Sequence, residues 1–279
     1  MGATDGLCPL APDDAEPCLA LSVEAGWNQI AADWRMMLAA GAGFALRDKA
    51  GTPQASGIAL PMGAGFGWIS MILVTRALRR QGHARRLMAA CIDRLEGAGR
   101  AACLDATAEG QPLYASLGFR PVAQVLRMAG TGTGTGPATH PGLRPFGPED
   151  QGWIEALDRD AFAGDRSFML HDFVARPGRL ALVRDAQDGF VLGRQGRLAT
   201  QIGPIVARTP EIAADLLAAA LDHVNGPVFV DAMAQQPLAK ALGARGFAEQ
   251  RSFLRMVRGK APWGADAARL FAAAGPELG

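Results

Sequence analysis

Apolar positions follow two spacings along this 279-residue chain, and together they predict alternating helices and strands. Short apolar runs bounded by turn residues are typical of strands, whereas apolar residues three or four apart are typical of amphipathic helices. In the first part of the chain these spacings predict helices over 13–25 and 28–40, strands over 43–48, 54–62 and 67–75, a helix over 82–98, a strand over 101–106, a helix over 109–117 and a strand over 119–128.

A second series repeats this order. It comprises predicted helices over 148–162 and 165–176, strands over 179–185, 188–194 and 197–206, a helix over 210–224, a strand over 227–232, a helix over 235–245 and a strand over 247–257. Between the series, the segment TGTGTGPATHPG (131–142) has no apolar periodicity and consists of turn-forming residues, which predicts a linker. The predicted domains are therefore 1–130 and 143–279, and we expect a short amphipathic helix in the last segment, APWGADAARLFAAAGPELG.

The two series also share words of sequence. CLDATAEGQPLYASLGFRPVAQVLRM in the first and FVDAMAQQPLAKALGARGFAEQRSFLRM in the second carry Asp-Ala, Gln-Pro-Leu, Gly-Phe and Leu-Arg-Met in the same order. The distance from Phe119 to Met128 equals that from Phe247 to Met256. Four ordered matches at near-constant spacing favour a duplication over chance repetition of small apolar words.

Composition narrows the classes of function. A formal net charge of +1 with 49% hydrophobic residues indicates a soluble globular protein without an electrostatic preference for nucleic acid or anionic membranes. No apolar run approaches the roughly 20 residues of a transmembrane helix, and the N-terminus lacks the basic region and apolar core of a signal peptide. The four cysteines have no metal-binding spacing, so we expect no metal and a cytoplasmic location.

The strongest chemical signal lies where the strand predicted over 67–75 meets the helix predicted over 82–98. The backbone N–H groups in the first turn of a helix have no partner within it, and the helix dipole favours an anion there. Gly82 allows close approach of a ligand and Ala84 keeps the next position small. Four arginines add charge that matches phosphate oxygens: Arg79, Arg80, Arg85 and Arg86. The pattern predicts a pyrophosphate site, with a solvated helix start as the alternative.

This order of strand, R-x-x-G-x-A and amphipathic helix resembles the coenzyme A signature of the GCN5-related N-acetyltransferase (GNAT) superfamily, with Ala84 where a second glycine is commoner. The resemblance covers nearly the whole chain and implies an α+β class, a three-layer α/β sandwich. It implies two tandem GNAT folds, each a mixed, mostly antiparallel twisted sheet flanked by helices.

The resemblance also implies an acetyl-CoA site in the first copy. In the family the strand before the signature splays from its neighbour and binds the thioester and pantetheine arm through backbone N–H groups. The implied cofactor residues are Ile72, Leu73, Val74, Arg79, Arg80, Gln81, Gly82, His83, Ala84 and Arg85. In the second copy Pro210-Glu211 replaces the signature, so that copy is expected to be degenerate and to lack the site.

Two catalytic residues follow from the resemblance. Tyr114, in Y-x-x-x-G-F, matches the family's tyrosine that protonates the departing thiolate. The family's strand glutamate has no counterpart in Trp68-Ile69-Ser70-Met71, and Glu24 is the candidate base, with Asp105, Glu109 or a water chain as alternatives. Because Asp105 has a twin, Asp231, in the second copy, a structural role such as capping the next helix is favoured for it.

In the family, the loop between the first two helices lines the acceptor site. The candidate substrate residues are Trp27, Asn28, Gln29, Trp34, Trp68 and Ser70. Their alternative is a hydrophobic staple with exposed amides. The implied reaction is acetyl transfer from acetyl-CoA to the primary amine of a small molecule, or an amino-acid-like substrate, by direct attack on the thioester.

The expected partner is therefore a small-molecule amine, with no nucleic acid and no membrane, and the chain is expected to be a monomer or a homodimer. A catalytically silent acyl-CoA-binding module remains an alternative, because the strand carboxylate is missing. An aminoacyl-transferase using charged tRNA is less favoured, because such enzymes need a basic surface.

Overall fold

The structure is a computed structural model that describes residues 6–136, 140–260 and 262–279. Residues 137–139, which belong to the predicted linker, lie outside the described residues. In the first copy the elements are, in order, β1 (Cys8–Leu10), α1 (Ala15–Ala25), α2 (Ala31–Ala40), β2 (Ala42–Arg47), β3 (Pro53–Pro61), β4 (Phe66–Val74), α3 (His83–Glu96), β5 (Ala101–Ala106), α4 (Gln111–Ser116) and β6 (Arg120–Thr133).

The second copy follows the same order. Its elements are β7 (Leu143–Pro145), α5 (Gln151–Phe162), α6 (Ser167–Ala175), β8 (Leu180–Arg184), β9 (Gly189–Arg194), β10 (Thr200–Ala207), α7 (Pro210–His223), β11 (Asn225–Met233), α8 (Leu238–Gly243), β12 (Ala248–Arg258) and β13 (Leu270–Ala273). Each helix and strand predicted from the two apolar series is confirmed, with ends that shift by a few residues. The strands β1, β7 and β13 were not predicted, because three or four residues are too few to show a periodicity.

All of these strands join one sheet in the order β1-β2-β3-β4-β5-β12-β6-β11-β13-β10-β9-β8-β7. The pairs β4–β5 and β10–β11 are parallel, whereas the others are antiparallel. The predicted fold class is therefore confirmed. Apart from β13, the order reads the same from either end once each strand is replaced by its counterpart in the other copy, as the duplication requires.

The closing strands of the two copies are exchanged. Strand β12 of the second copy pairs with β5 of the first, from Leu254 opposite Ala106 to Arg258 opposite Ala102. Strand β6 of the first copy pairs with β11 of the second along its whole length, ending at Thr133 opposite Asn225. The predicted linker at 131–142 therefore needs a correction, because its first three residues belong to β6 and find their hydrogen-bonding partners in the other copy.

The core is also shared between the copies. Trp34 and Trp68 of the first copy belong to the same apolar cluster as Phe162 and Phe173 of the second, and all four are at most 1% exposed. The rings of Trp68 and Phe162 lie 5.9 Å apart between centroids. Burial of large aromatic side chains is a main source of stability, so each copy depends on the other for part of its core.

The final segment differs from the expected amphipathic helix. A 3₁₀ turn at Ala265–Arg269 leads into β13, which lies between β10 and β11 in the sheet. β13 pairs with β10 through Ala272 opposite Ile205 and with β11 through Ala273 opposite Asp231. The helix prediction was wrong because the apolar residues of LFAAA fit a fully buried strand as well as a helix face.

Candidate active site

The first copy contains a gap between β4 and β5. These strands pair only from Phe66 opposite Ala101 to Trp68 opposite Cys103 and then separate. A bulge follows in β4, where Met71 adopts a φ of 54° and the register with β3 shifts. Beyond Trp68 the described sheet gives the β5-facing backbone of β4 no strand partner, so these groups are available to an extended ligand.

Helix α3 begins at the open end of this gap without a side-chain cap. Its N-cap residue Gly82 has a φ of 83°, and a Cβ built there would meet no heavy atom within 4 Å. The Nδ1 atom of His83, the next residue, is buried without a hydrogen-bond partner in the described chain. Unpaired first-turn N–H groups, open space above a glycine and an orphaned ring nitrogen fit a bound pyrophosphate.

The basic residues around Gly82 lie on the surface beside this helix start. Arg79 donates from Nε to the Val74 carbonyl at 3.1 Å, and Arg85 donates to Ser116 Oγ at 2.9 Å. Arg80 and Gln81 are exposed in the turn that precedes α3. The predicted cofactor residues therefore come together at one end of β4 and α3. The side chain of Leu73 is buried and that of Ile72 lines the gap.

The second copy closes both of these features. The N-terminus of α7 is capped by Thr209, whose side chain accepts a hydrogen bond from the Ile212 amide at 3.4 Å. Glu211 lies in the first turn of α7, and its pKa is lowered mainly by a bond to its own backbone N–H, so it carries negative charge there. In addition, β13 fills the gap between β10 and β11 that stays open between β4 and β5. The second copy thus offers neither an open helix start nor an open gap.

A pocket lies at the inner end of the β4–β5 gap, and its volume is about 520 Å³ when the adjoining open solvent is included. The first copy contributes Trp27, Gln29, Ser70, Met71 and Tyr114. The second copy contributes Arg251 and Phe253 of β12, together with Pro276 and Glu277 of the final segment. The strand exchange therefore makes the pocket a joint product of both copies, which the sequence did not indicate.

Tyr114 lies on α4 with its ring 6.3 Å from that of Phe119, and it lines the pocket. Burial is the main reason that the pKa of its phenol is raised to about 12, and nearby Cys91 and Glu109 add to the increase. The phenol therefore remains protonated near neutral pH and is able to donate a hydrogen bond into the pocket.

Glu24 does not line this pocket. Its Oε2 accepts from Thr75 Oγ1 at 2.7 Å and its Oε1 accepts from the Arg76 backbone N–H at 2.6 Å, which lowers its pKa. A carboxylate with both oxygens occupied and a lowered pKa is a poor proton acceptor. Glu24 instead fixes the turn after β4, and the structure does not support the predicted base.

The candidate substrate residues divide into two groups. Trp27, Gln29 and Ser70 line the pocket, and their contact with a substrate stays a prediction. Asn28 does not, because its side chain bonds the backbone of Leu198 and Ala199 in the second copy.

The two other tryptophans have structural roles. The indole N–H of Trp34 donates to Ser22 Oγ at 3.0 Å in the core, so this residue is a correction to the predicted site. The indole N–H of Trp68 donates to the Pro276 carbonyl at 3.0 Å. Trp68 therefore holds the final segment in place rather than lining the pocket.

Glu277 is a pocket residue that the sequence reasoning missed. Its Oε1 pairs with Arg194, and Arg194 is in turn held by Asp33 Oδ1 at 2.9 Å. Its Oε2 is buried without a partner among the described residues, and so is Oε1 of Gln29. No sequence motif indicates this glutamate. Its one distinguishing feature in the sequence is that it lies in the final segment, which has no counterpart in the first copy.

The repeated Asp-Ala and Leu-Arg-Met words have a structural explanation. Asp105 of β5 receives two 2.9 Å hydrogen bonds from Arg255 of β12, and Asp231 of β11 receives two 2.8 Å bonds from Arg127 of β6. Each aspartate therefore finds its arginine in the other copy. Asp105 is structural as expected, but as an ion-pair partner across the exchanged strands and not as a helix cap.

The described ranges contain neither a metal-binding cluster nor a membrane-spanning helix. No group of three or more His, Cys, Asp or Glu side chains is arranged to hold a metal ion there. None of the described helices combines the length and apolarity that crossing a bilayer requires.

Comparison with known proteins gives two matches to domain families, both described as an acetyltransferase (GNAT) domain. One family model matches residues 32–132 and the other matches residues 154–272. The chain is 27% identical over 239 residues to the uncharacterised N-acetyltransferase YitH of Bacillus subtilis, a match that spans 83% of each protein.

Solved structures show the same fold. A Pyrococcus horikoshii protein provisionally described as an acetyltransferase superposes with a TM-score of 0.80 at 19% identity, covering 98% of this chain and 96% of that one. A tandem GNAT protein from the clavulanic acid biosynthesis pathway gives a TM-score of 0.59 at 17% identity, covering 91% of this chain and 99% of that one. With one acetyltransferase (GNAT) domain matched in each half, the chain belongs to the GCN5-related N-acetyltransferase superfamily as a tandem GNAT protein.

Proposed function

We propose that the chain is an acetyl-CoA-dependent N-acetyltransferase of a small primary amine, with one donor site, formed by the first copy. The observation that carries this proposal is the contrast between the copies. In the first, an uncapped helix start at Gly82 opens onto a gap that leads to the Tyr114 pocket, whereas β13 and Thr209 close the same features in the second. The proposed partners are acetyl-CoA and the amine, without nucleic acid or membrane.

The first-turn N–H groups of α3 and the arginines around Gly82 would hold the pyrophosphate, and the unpaired backbone of β4 would hold the pantetheine arm. When bound, acetyl-CoA supplies an activated acyl thioester. Transfer forms an acyl C–N bond, breaks the C–S bond, removes a proton from the amine nitrogen and places a proton on sulfur. Backbone donors of β4 that orient the carbonyl oxygen would lower the barrier by a few kcal/mol.

Tyr114 acts in this scheme as a hydrogen-bond donor to the departing sulfur. Its raised pKa of about 12 keeps the phenol neutral, but complete proton transfer to a thiolate, whose parent thiol has a pKa of about 8.5, is then unfavourable. The hydrogen bond stabilises the developing negative charge, and the proton that sulfur finally keeps comes from the amine by way of solvent.

Replacement of the tyrosine tests this role. We expect Tyr114→Phe to lower kcat by about 10- to 100-fold, which corresponds to the roughly 1.5–3 kcal/mol of one hydrogen bond to a charged group, with acetyl-CoA affinity unchanged. The measurement is amine-dependent release of free CoA, with calorimetry for the affinity. Equal kcat in both proteins would exclude the role, and a wild type that binds acetyl-CoA but releases no CoA with any amine would favour a silent binding module.

A charge reversal at the helix start tests the donor site. We expect Gly82→Glu to weaken acetyl-CoA binding more than 100-fold, because a carboxylate at this N-terminus repels pyrophosphate. Gly51→Glu is a matched control, since Gly51 has a φ of 85° and equally open space. Calorimetry of the wild type should give one molecule per chain. Two molecules per chain, or equal affinity in both variants, would contradict the assignment.

A further inference from the structure

We infer that the acceptor is an apolar α-amino acid, whose ammonium group binds between Glu277 and Gln29 and whose carboxylate binds Arg251. This inference rests on the proposed function, which makes the joint pocket the acceptor site. It is carried by the charges in the pocket: of the four charged residues that line it in the described chain, two are fully paired within the protein, whereas one acidic and one basic residue are left with free capacity.

Two charged residues of the pocket, Asp105 and Arg127, are already paired within the protein. Asp105 lines the pocket, but both of its oxygens accept hydrogen bonds from Arg255. Arg127 also lines it, and its Nε and Nη2 donate to the two oxygens of Asp231. These residues form buried, neutral pairs. They offer a charged ligand little, because each would have to give up an existing partner.

The acidic group with free capacity is Glu277. Because Arg194 holds its Oε1 and Asp33 holds Arg194, this carboxylate has a fixed position. Its Oε2 and Oε1 of Gln29 are buried acceptors without a donor in the described chain, and both residues line the same pocket. An unsatisfied buried acceptor is unfavourable, and two of them in one pocket call for a ligand with several donors. An ammonium group has three donors and the charge that complements a carboxylate.

The basic group with free capacity is Arg251. It follows a bulge in β12 and pairs through its backbone with Arg127 of β6, and the described residues give its guanidinium no hydrogen-bond or ion-pair partner. Burial and then the neighbouring Arg127 lower its pKa, and the attraction of Asp231 offsets them only in part, so its charge is incompletely compensated. A guanidinium fork matches the two oxygens of a carboxylate, and that ligand would relieve the repulsion.

Other residues that line the pocket are apolar. Phe253, two residues beyond Arg251 on the same face of β12, lines the pocket together with Trp27 and Met71. A ligand that carries an ammonium group, a carboxylate and an apolar side chain on one carbon matches all three kinds of surface. An α-amino acid with an aromatic or long aliphatic side chain has this combination.

Matched ligands test the inference independently of turnover. We would titrate the CoA-loaded full chain with the L-amino acids phenylalanine, tryptophan, leucine and methionine, with the decarboxylated amine of each, and with 3-phenylpropanoate. The expected result is that at least one amino acid binds ten times or more tightly than its amine. Arg251→Gln should remove this preference by weakening the binding of the amino acid only. Glu277→Gln should weaken the binding of the amino acid and of the amine alike, each at least tenfold, but not the binding of 3-phenylpropanoate.

Two controls and two outcomes make the test decisive. Arg245→Gln and Glu249→Gln change the same charges at exposed positions outside the pocket and should alter none of these affinities. The inference is overturned if no amino acid binds more tightly than its amine, or if Arg251→Gln weakens both members of a pair equally. Acetyl-CoA binding and CoA release are measured separately, so a failure of the proposed transferase activity is recognised as such by the absence of release with every amine.

Discussion

A chain that ends at residue 130 should fail to fold, although it contains the whole predicted first domain and the entire cofactor signature. Strand β5 has its antiparallel partner in β12, so a chain without β12 exposes the backbone edge of β5 from Ala102 to Ala106 beside the pocket. Asp105 would lose Arg255 and remain as an unpaired carboxylate. Loss of one partner from a buried pair costs about 3–5 kcal/mol, a large part of the 5–15 kcal/mol that ordinarily stabilises a domain.

The shared aromatic core is a second reason to expect that residues 1–130 do not fold alone. Trp68 packs against Phe162, and its indole N–H donates to the Pro276 carbonyl, so truncation leaves a large side chain without these contacts. We expect residues 1–130 to be insoluble or to lack a cooperative thermal transition by calorimetry. Coexpression of residues 1–136 with 137–279 is the positive control, because it restores both exchanged strands. A cooperative transition and full acetyl-CoA affinity in 1–130 alone would contradict the shared architecture.

Local patterns in the sequence were sufficient to predict the helices and strands, but not the exchange of the closing strands β6 and β12 between the copies. The apolar spacings of 119–128 and 247–257 predict closing strands, and the same spacings would fit a partner in either copy. The repeated Asp-Ala and Leu-Arg-Met motifs do not indicate which copy supplies the partner either, since the charge of Asp105 is matched by Arg127 of its own copy as well as by Arg255. Only the three-dimensional pairing decides between these partners.

The candidate site likewise has one part that local sequence predicts and another that depends on distant segments. The helix start at Gly82 was predictable because strand, glycine and helix are adjacent in sequence, and the chemistry follows from their local geometry. The acceptor pocket was not, because β12 and the final segment reach it from far along the chain. Glu24 and Asn28 were reasonable candidates by position, yet their side-chain bonds are used to fix Arg76 and the loop at Leu198.

The ion pair between Asp105 and Arg255 provides a direct measurement of the exchange. We expect Arg255→Met and Asp105→Leu each to lower the free energy of unfolding by about 3–5 kcal/mol, because each leaves a buried charge alone. The double variant should recover most of this loss. The pKa of Asp105 is raised, chiefly by burial and in spite of Arg255, which means that the folded protein does not fully compensate the desolvation of this carboxylate.

Denaturant unfolding of both single variants and the double variant gives the coupling free energy. It should be large for Asp105 with Arg255 and smaller for Asp105 with Arg127, the arginine of its own copy, because Arg127 forms its ion pair with Asp231 and not with Asp105. The exposed pair Arg258–Glu96, with side chains 38% and 41% exposed, is the control and should couple by less than about 1 kcal/mol. Strong coupling within one copy would mean that the closing strands are not exchanged. The joint pocket, which depends on β12, would then have to be abandoned with them.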